Sequence, residues 1–343
     1  MCYSGYRANE NPYGSPPTFP TEAEVTQDLN LLVQGGWTFL RLFDCTQHAA
    51  VTLQAIHDGN FDIKVLQGVM IWGPASSMDS QNQAEIQNCM ALNQKYGDII
   101  VAFSVGNETL DDWSNILTPV SDLTNYIQQV RSQVSQPVTT DDFTPVFSLG
   151  SDGNYSYAPV AKVIEAIDFI DLHTYPFIDA PYQSWDYQQT AVAEGPARAI
   201  AMMNAAQAYN VSNVMAVHQA LAPKGIDRPI IIGETGWKTK PITTSFEVSL
   251  AHPVNQQIYW STLESWVYGP TKDANSPLGV MYFEFSDEPW KGNDDGWGLF
   301  DTNRYAKYAV WGQFPNLKPP GAPTYSQSDA VYYKPGDPTN PPM

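Results

Sequence analysis

The chain has 343 residues, 43 % of them hydrophobic and 13 % aromatic, with 17 basic against 36 acidic side chains and a net charge of −19. That composition excludes disorder, collagen and coiled coil. The charge disfavours nucleic acid, anionic membranes and polyanionic substrates, which all require Lys and Arg, and suits a neutral partner such as a carbohydrate polymer.

Short apolar runs alternate with amphipathic stretches along the chain. Strands are predicted at Cys2–Tyr6, Phe39–Phe43, Lys64–Val69, Ile99–Val105, Val138–Phe143, Phe169–Leu172, Ile230–Ile232 and Leu278–Phe285. Helical stretches fall between them, among others at Thr21–Gln34, Ser80–Lys95, Leu123–Val134, Ala158–Ala166, Ala191–Tyr209 and Asn255–Val267. Thr21 with Glu24 three residues on has the pattern of a capping box. Runs rich in Val, Ile and Phe without alternation mark strands buried on both faces, as in a parallel sheet. Eight strands, each followed by a helix, predict an α/β fold, a (β/α)8 TIM barrel. A doubly wound sheet would usually carry a Gly-rich turn after its first strand, and Ser4-Gly5-Tyr6-Arg7 is no such turn. From Pro315 onward, prolines punctuate a polar stretch without helical period. The expected organisation is a single barrel domain over residues 1–315 with a Pro-rich tail over 316–343, either a linker or a strap across the barrel.

The three cysteines, Cys2, Cys45 and Cys89, allow at most one bridge. No apolar run reaches the roughly 20 residues of a membrane span. Met1, followed at once by a strand, reads as the start of a mature chain whose export signal is gone, so a secreted or periplasmic location is expected. Cys2 reads as a strand residue, the alternative being the anchor cysteine of a cell-surface lipoprotein. A monomer is expected.

In a barrel the chemistry lies at the C-terminal ends of the strands. The fourth predicted strand runs into Asn107-Glu108, and the seventh into Gly233-Glu234-Thr235-Gly236-Trp237. Positions four and seven face each other across an eight-strand ring. Two facing carboxylates are what glycoside hydrolysis uses, one as proton donor and one as nucleophile or base. The five histidines lack metal-ligand spacing, so no catalytic metal is expected. Asp141-Asp142 and Asn293-Asp294-Asp295 read as solvated acidic loops in preference to calcium sites. No Ser stands in a G-x-S-x-G elbow, which disfavours an α/β-hydrolase.

The residues Val105-Gly-Asn-Glu108, Gly233-Glu-Thr-Gly-Trp237, His173-Thr-Tyr-Pro176, Phe283-Glu-Phe-Ser-Asp-Glu288-Pro-Trp-Lys291 and Trp297-Gly-Leu-Phe-Asp301 carry a resemblance to glycoside hydrolase family 17, the β-1,3-glucanases. With Cys2-Tyr-Ser-Gly-Tyr6-Arg7 and Phe39-Leu-Arg-Leu-Phe43 it covers residues 2–315. The resemblance implies retaining hydrolysis of β-1,3-glucan such as laminarin, without a cofactor. It makes Glu108 the acid and then the base, and Glu234 the nucleophile. Asn107 would bind the sugar 2-hydroxyl, and Tyr175 would donate a hydrogen bond to Glu234. Glu288 and Lys291 would lie near acid and substrate, with Lys291 tuning the proton affinity of Glu108. Trp237 and Trp297 are expected to stack on sugar faces. Arg41 is expected to support the carboxylates from below, and Asp44 to bind a sugar hydroxyl. Phe177 and Trp297 are candidates for the acceptor side. Lys238 stands where the family usually has Pro and is expected to make that side more polar. A β-1,3-glucanosyltransferase of the same family is the alternative, and a non-catalytic β-glucan-binding protein a remoter one.

Overall fold

The computed structural model describes residues 1–150, 152–155, 159–182 and 184–342. The helix expected from Ala158 therefore begins, and the tail ends, outside the described residues. In chain order the elements are α1 (Glu22–Gln34), β1 (Phe39–Leu42), α2 (Gln47–Asp58), β2 (Lys64–Val69), α3 (Ala75–Tyr96), β3 (Ile100–Asn107), α4 (Val120–Arg131) and β4 (Val138–Phe143). Then follow α5 (Thr144–Phe147), α6 (Ala161–Ala166), β5 (Ile170–His173), α7 (Pro176–Asp179), α8 (Pro196–Leu221), β6 (Ile230–Thr235), α9 (Pro253–Val267) and β7 (Val280–Tyr282). The seven strands pair in parallel in sequence order.

The N-terminal segment closes the ring. Tyr3 N–H donates to Arg41 O at 3.0 Å and Arg41 N–H to Met1 O at 2.9 Å on one side. On the other, Cys2 N–H donates to Tyr282 O at 3.0 Å and Phe285 N–H to Cys2 O at 3.1 Å. The eighth position is thus filled by about three residues, where a strand to Tyr6 was predicted. Gly5 ends it: its backbone is left-handed (φ +65°), and a Cβ there would lie 2.6 Å from the Tyr3 hydroxyl. Its carbonyl accepts from Arg304 and Arg7.

Alternation along the strands divides the ring interior into two zones. Cys2, Leu66, Ala102 and Met281 make a small buried apolar layer, with Phe169 and Ile231 against it. Toward the C-terminal strand ends, the buried positions become Arg41, Ser104, Asp141, Asp171 and His173. The larger apolar cluster fills the space between sheet and helices. The capping box at α1 forms as read, Thr21 accepting from Glu24 N–H and Glu24 from Thr21 N–H. A Cys45–Cys89 disulfide, Cα–Cα 5.1 Å, ties the β1–α2 loop to α3, while Cys2 is a buried free thiol. Beyond Pro315 the chain runs against α8 and α9. The Asn255 side chain pairs with both backbone groups of Val331, and Arg198 donates to Tyr333 O. Among the described residues no helix is long and apolar enough to cross a membrane.

Candidate active site

A groove of about 890 Å³ lies over the C-terminal strand ends, with Glu108 and Glu234 both in its wall. The two leave their strands differently. Gly106 (φ +84°) and Glu108 itself (φ +50°) are left-handed, which swings the Glu108 side chain over the ring. A non-glycine residue in that region is uncommon and is characteristic of functional turns. Glu234 stays on β6, paired with His173 just past a register shift that leaves Gly233 without a partner on β5.

Each carboxyl group has its own surroundings. Glu234 Oε2 accepts from Tyr175 Oη at 2.7 Å, and Oε1 accepts from Arg41 Nη1. Burial pushes the proton affinity of Glu234 up, but the His173 and Arg41 charges and the two hydrogen bonds outweigh it and hold the group below the usual range. Among the described residues, Glu108 Oε1 meets only His173 Nδ1, at 2.6 Å. There burial prevails, and the carboxyl is raised above its ordinary value. The two surroundings push the acids apart, Glu234 toward its ionised form and Glu108 toward its protonated form.

Beneath them, Arg41 also donates to Asn107 Oδ1 at 2.8 Å and pairs with Asp141 at 2.9 Å. Arginine only donates, so Asn107 keeps its oxygen toward Arg41 and turns its NH2 toward the groove. Asp141 and Asp142 are not a solvated loop: both are buried on β4, where Asp141 accepts from Ser104 Oγ and Asp142 from the N–H groups of Leu110 and Phe143.

Asp44 lines the groove, with one carboxylate oxygen accepting from Thr46 N–H and hydroxyl. Glu288 and Lys291 line it too, but Lys291 Nζ lies between Glu284 and Glu288, 3.0 Å from the latter. Its charge is shared between those two carboxylates. Trp297 reaches the groove, its indole N–H donating to Asp294 at 3.0 Å. Trp237 does not: it is fully buried behind Trp297, donates to Leu250 O at 2.9 Å and packs on Phe177 and Tyr259. Phe177 is buried in the same stack. Lys238 leaves the acceptor side unchanged, because its ammonium is buried 3.0 Å from Glu247.

The groove walls contain rings that motif reading missed. Tyr13 (71 % exposed), Tyr182 (66 %) and Trp113 (58 %) line it together with Trp72 and Trp290. Their sequence signal was position: four of the five lie in loops that follow strands. Nearest donor atoms of Glu108, His173 and Glu234 lie within 4.8 Å of one another, close enough to hold a metal ion. The Arg41 guanidinium on Glu234 already fills one lone pair and opposes a dication. The other such cluster, Cys45, Glu85 and Cys89, has its two sulfurs joined.

A family model described as BtgE/BtgC glycoside hydrolase domain matches residues 1–300. No curated protein matches at the sequence level. Among solved structures, an endo-laminarinase from Formosa Hel1_33_131 is similar at 26 % identity and TM-score 0.80, over 94 % of this chain and 89 % of that one. An active-site mutant of Rhizomucor miehei β-1,3-glucanosyltransferase, in complex with laminaritriose, shares the fold at 20 % identity and TM-score 0.63, over 90 % and 94 %. A β-D-glucuronidase of Dictyoglomus thermophilum shares it at 13 % identity and TM-score 0.57, over 90 % of this chain and 49 % of that longer one.

Proposed function

Because the chain belongs to the BtgE/BtgC glycoside hydrolase family, we propose that it hydrolyses β-1,3-glucosidic bonds of laminarin-type glucan with retention of configuration. The observation that carries this reading is the approach of the Glu108 and Glu234 oxygens to within 4.8 Å. Retaining glycosidases hold their carboxyl groups about 5–5.5 Å apart, whereas inverting ones leave about 6.5–9.5 Å for a water. Glu108 protonates the leaving oxygen while Glu234 attacks the anomeric carbon and forms a glycosyl ester. Glu108 then takes a proton from water, which attacks the same carbon and frees Glu234.

Arg41 and Tyr175 keep Glu234 ionised and aimed. The Asn107 amide donates to the 2-hydroxyl, a contact that strengthens toward the transition state. Asp44 and Glu288 accept from sugar hydroxyls, and Trp297 covers an apolar pyranose face. The similarity to an endo-laminarinase supports a β-1,3-glucan substrate and a place near glycoside hydrolase family 17. The disulfide supports a secreted or periplasmic setting. The exposed rings of Trp113 and Tyr182 favour a second outcome at high substrate, transfer to an acceptor sugar. Timed chromatography of a laminari-oligosaccharide digest, with NMR of the first anomer, tests the reading. A β first product is expected. An α first product overturns retention and the role of Glu234, and longer products dominating at low substrate favour the transferase.

A further inference from the structure

His173 lies fully buried between the two carboxyl groups. Its Nδ1 is 2.6 Å from Glu108 Oε1, and its Nε2 is 3.4 Å from Asp141 Oδ1 and 3.9 Å from Glu234 Oε1. That Nε2 has no full hydrogen-bond partner. A buried ring nitrogen aimed between two carboxylates, with no geometry good enough for either, is held by charge more than by a directed bond. Arg41, a second buried cation at the strand ends, touches Glu234, Asn107 and Asp141 but makes no contact with Glu108 among the described residues.

Resting on the retaining reading above, we propose that His173 is a fixed imidazolium shared by both catalytic carboxyl groups, its counter-ion passing from Glu234 to Glu108 as the glycosyl ester forms. In the free enzyme the charges facing it are Glu234 from β6, Asp141 from β4 and Arg41 from β1. Glu108, directly after β3, carries the proton in this scheme, the direction in which burial pushes it. Asp171, on His173's own strand, is pushed up to about 7 by burial and sheds its charge readily. Two cations face two anions. When Glu108 gives its proton to the leaving oxygen and Glu234 becomes an ester, one carboxylate is lost and one gained. The imidazolium keeps its proton, and the buried count stays balanced. Water attack then returns a proton to Glu108 and the charge to Glu234. Burial alone would lower the proton affinity of the ring, but Glu234, the hydrogen bond to Glu108 and Asp141 push it up to about 9.

The test uses the whole chain labelled with 15N-histidine, the His173 signal being identified by its loss in His173→Gln. The imidazole is titrated in the free enzyme and again after trapping with a 2-deoxy-2-fluoro-β-laminaribioside that has a dinitrophenolate leaving group. An imidazolium at neutral pH in both states is expected, and a neutral ring in either overturns the proposal. Mass spectrometry of the trapped protein reports separately on the function. Without an adduct on Glu234 the retaining reading falls, while the free-enzyme titration still decides the charge of His173. His173→Gln supplies a kinetic readout that a packing role would not move. A cation beside Glu108 favours its ionised form, so removing it must carry the basic limb of kcat/KM to higher pH and slow turnover at least about tenfold. A slower enzyme with an unmoved limb would reduce His173 to a packing residue.

Discussion

The ends of β3 and β6 deliver the same chemical group by opposite means. Glu108 leaves β3 through a left-handed turn, has 18 % of its side chain exposed and meets a single partner. Glu234 stays on its strand, just past a register shift at Gly233, is almost fully buried and is held at both oxygens. The difference matches the work. A group that gives and regains a proton needs one free oxygen facing the groove, whereas a nucleophile gains from being charged and aimed before substrate arrives.

The sharpest way to break this comparison is Glu234→Gln. The amide is nearly isosteric but forms no ester, so turnover on laminarin should fall by about four orders of magnitude or more. Residual activity above a hundredth of wild type would place the nucleophile elsewhere. Glu108→Ala should cost about 100- to 10,000-fold on glucan, whose leaving group needs a proton. It should cost far less on a dinitrophenyl glycoside, and azide should speed that reaction; equal losses on both substrates would remove Glu108 as the acid. Tyr175→Phe takes one charge-assisted hydrogen bond from Glu234 and should lower kcat about 10- to 100-fold. Ionised Glu234 also becomes harder to maintain, so activity should be lost earlier as pH falls, and the acidic limb should move up. An acidic limb that stays in place would mean that Tyr175 does not stabilise the ionised nucleophile. The smallest effect concerns the turn itself. Gly106→Ala puts a Cβ at φ +84°, 3.0–3.2 Å from Thr109 and Leu123 atoms. Denaturant melts should show about 1–3 kcal/mol less stability, and an unchanged midpoint would show that the turn tolerates a side chain.

The two carboxylates were legible because each directly follows an apolar run, where strand and function share one local signal. Tyr175, two residues beyond His173, was legible only through the family resemblance of His173-Thr-Tyr-Pro176. What stayed hidden depends on distant partners. Nothing near Lys238 announces Glu247, and nothing near Lys291 except Glu288 shows that Glu284 claims its ammonium. Trp237 and Trp297 both follow strand ends and look alike in sequence; only the packing of Phe177 between them and the α9 side puts one behind the other. Asp141-Asp142 reads as an acidic loop until Arg41, far earlier in the chain, is seen to face it. The first strand was read too long because the position of Gly5 is fixed by Arg304, from the other end of the domain.

The Cys45–Cys89 bond has a further consequence for how the protein withstands damage. It links positions 44 residues apart, a loop whose closure constrains the unfolded chain by about 4 kcal/mol in the chain-entropy model. Glu85, one helical turn before Cys89, accepts from the N–H groups of Cys45 and Met70, so bond and carboxylate together pin the Asp44 and Trp72 side of the groove to α3. A protease that cuts the backbone anywhere between those cysteines therefore leaves two pieces still covalently joined. On a denaturing gel the nicked chain should run as one band until a reductant is added, and in solution its severed ends remain tethered within reach of each other.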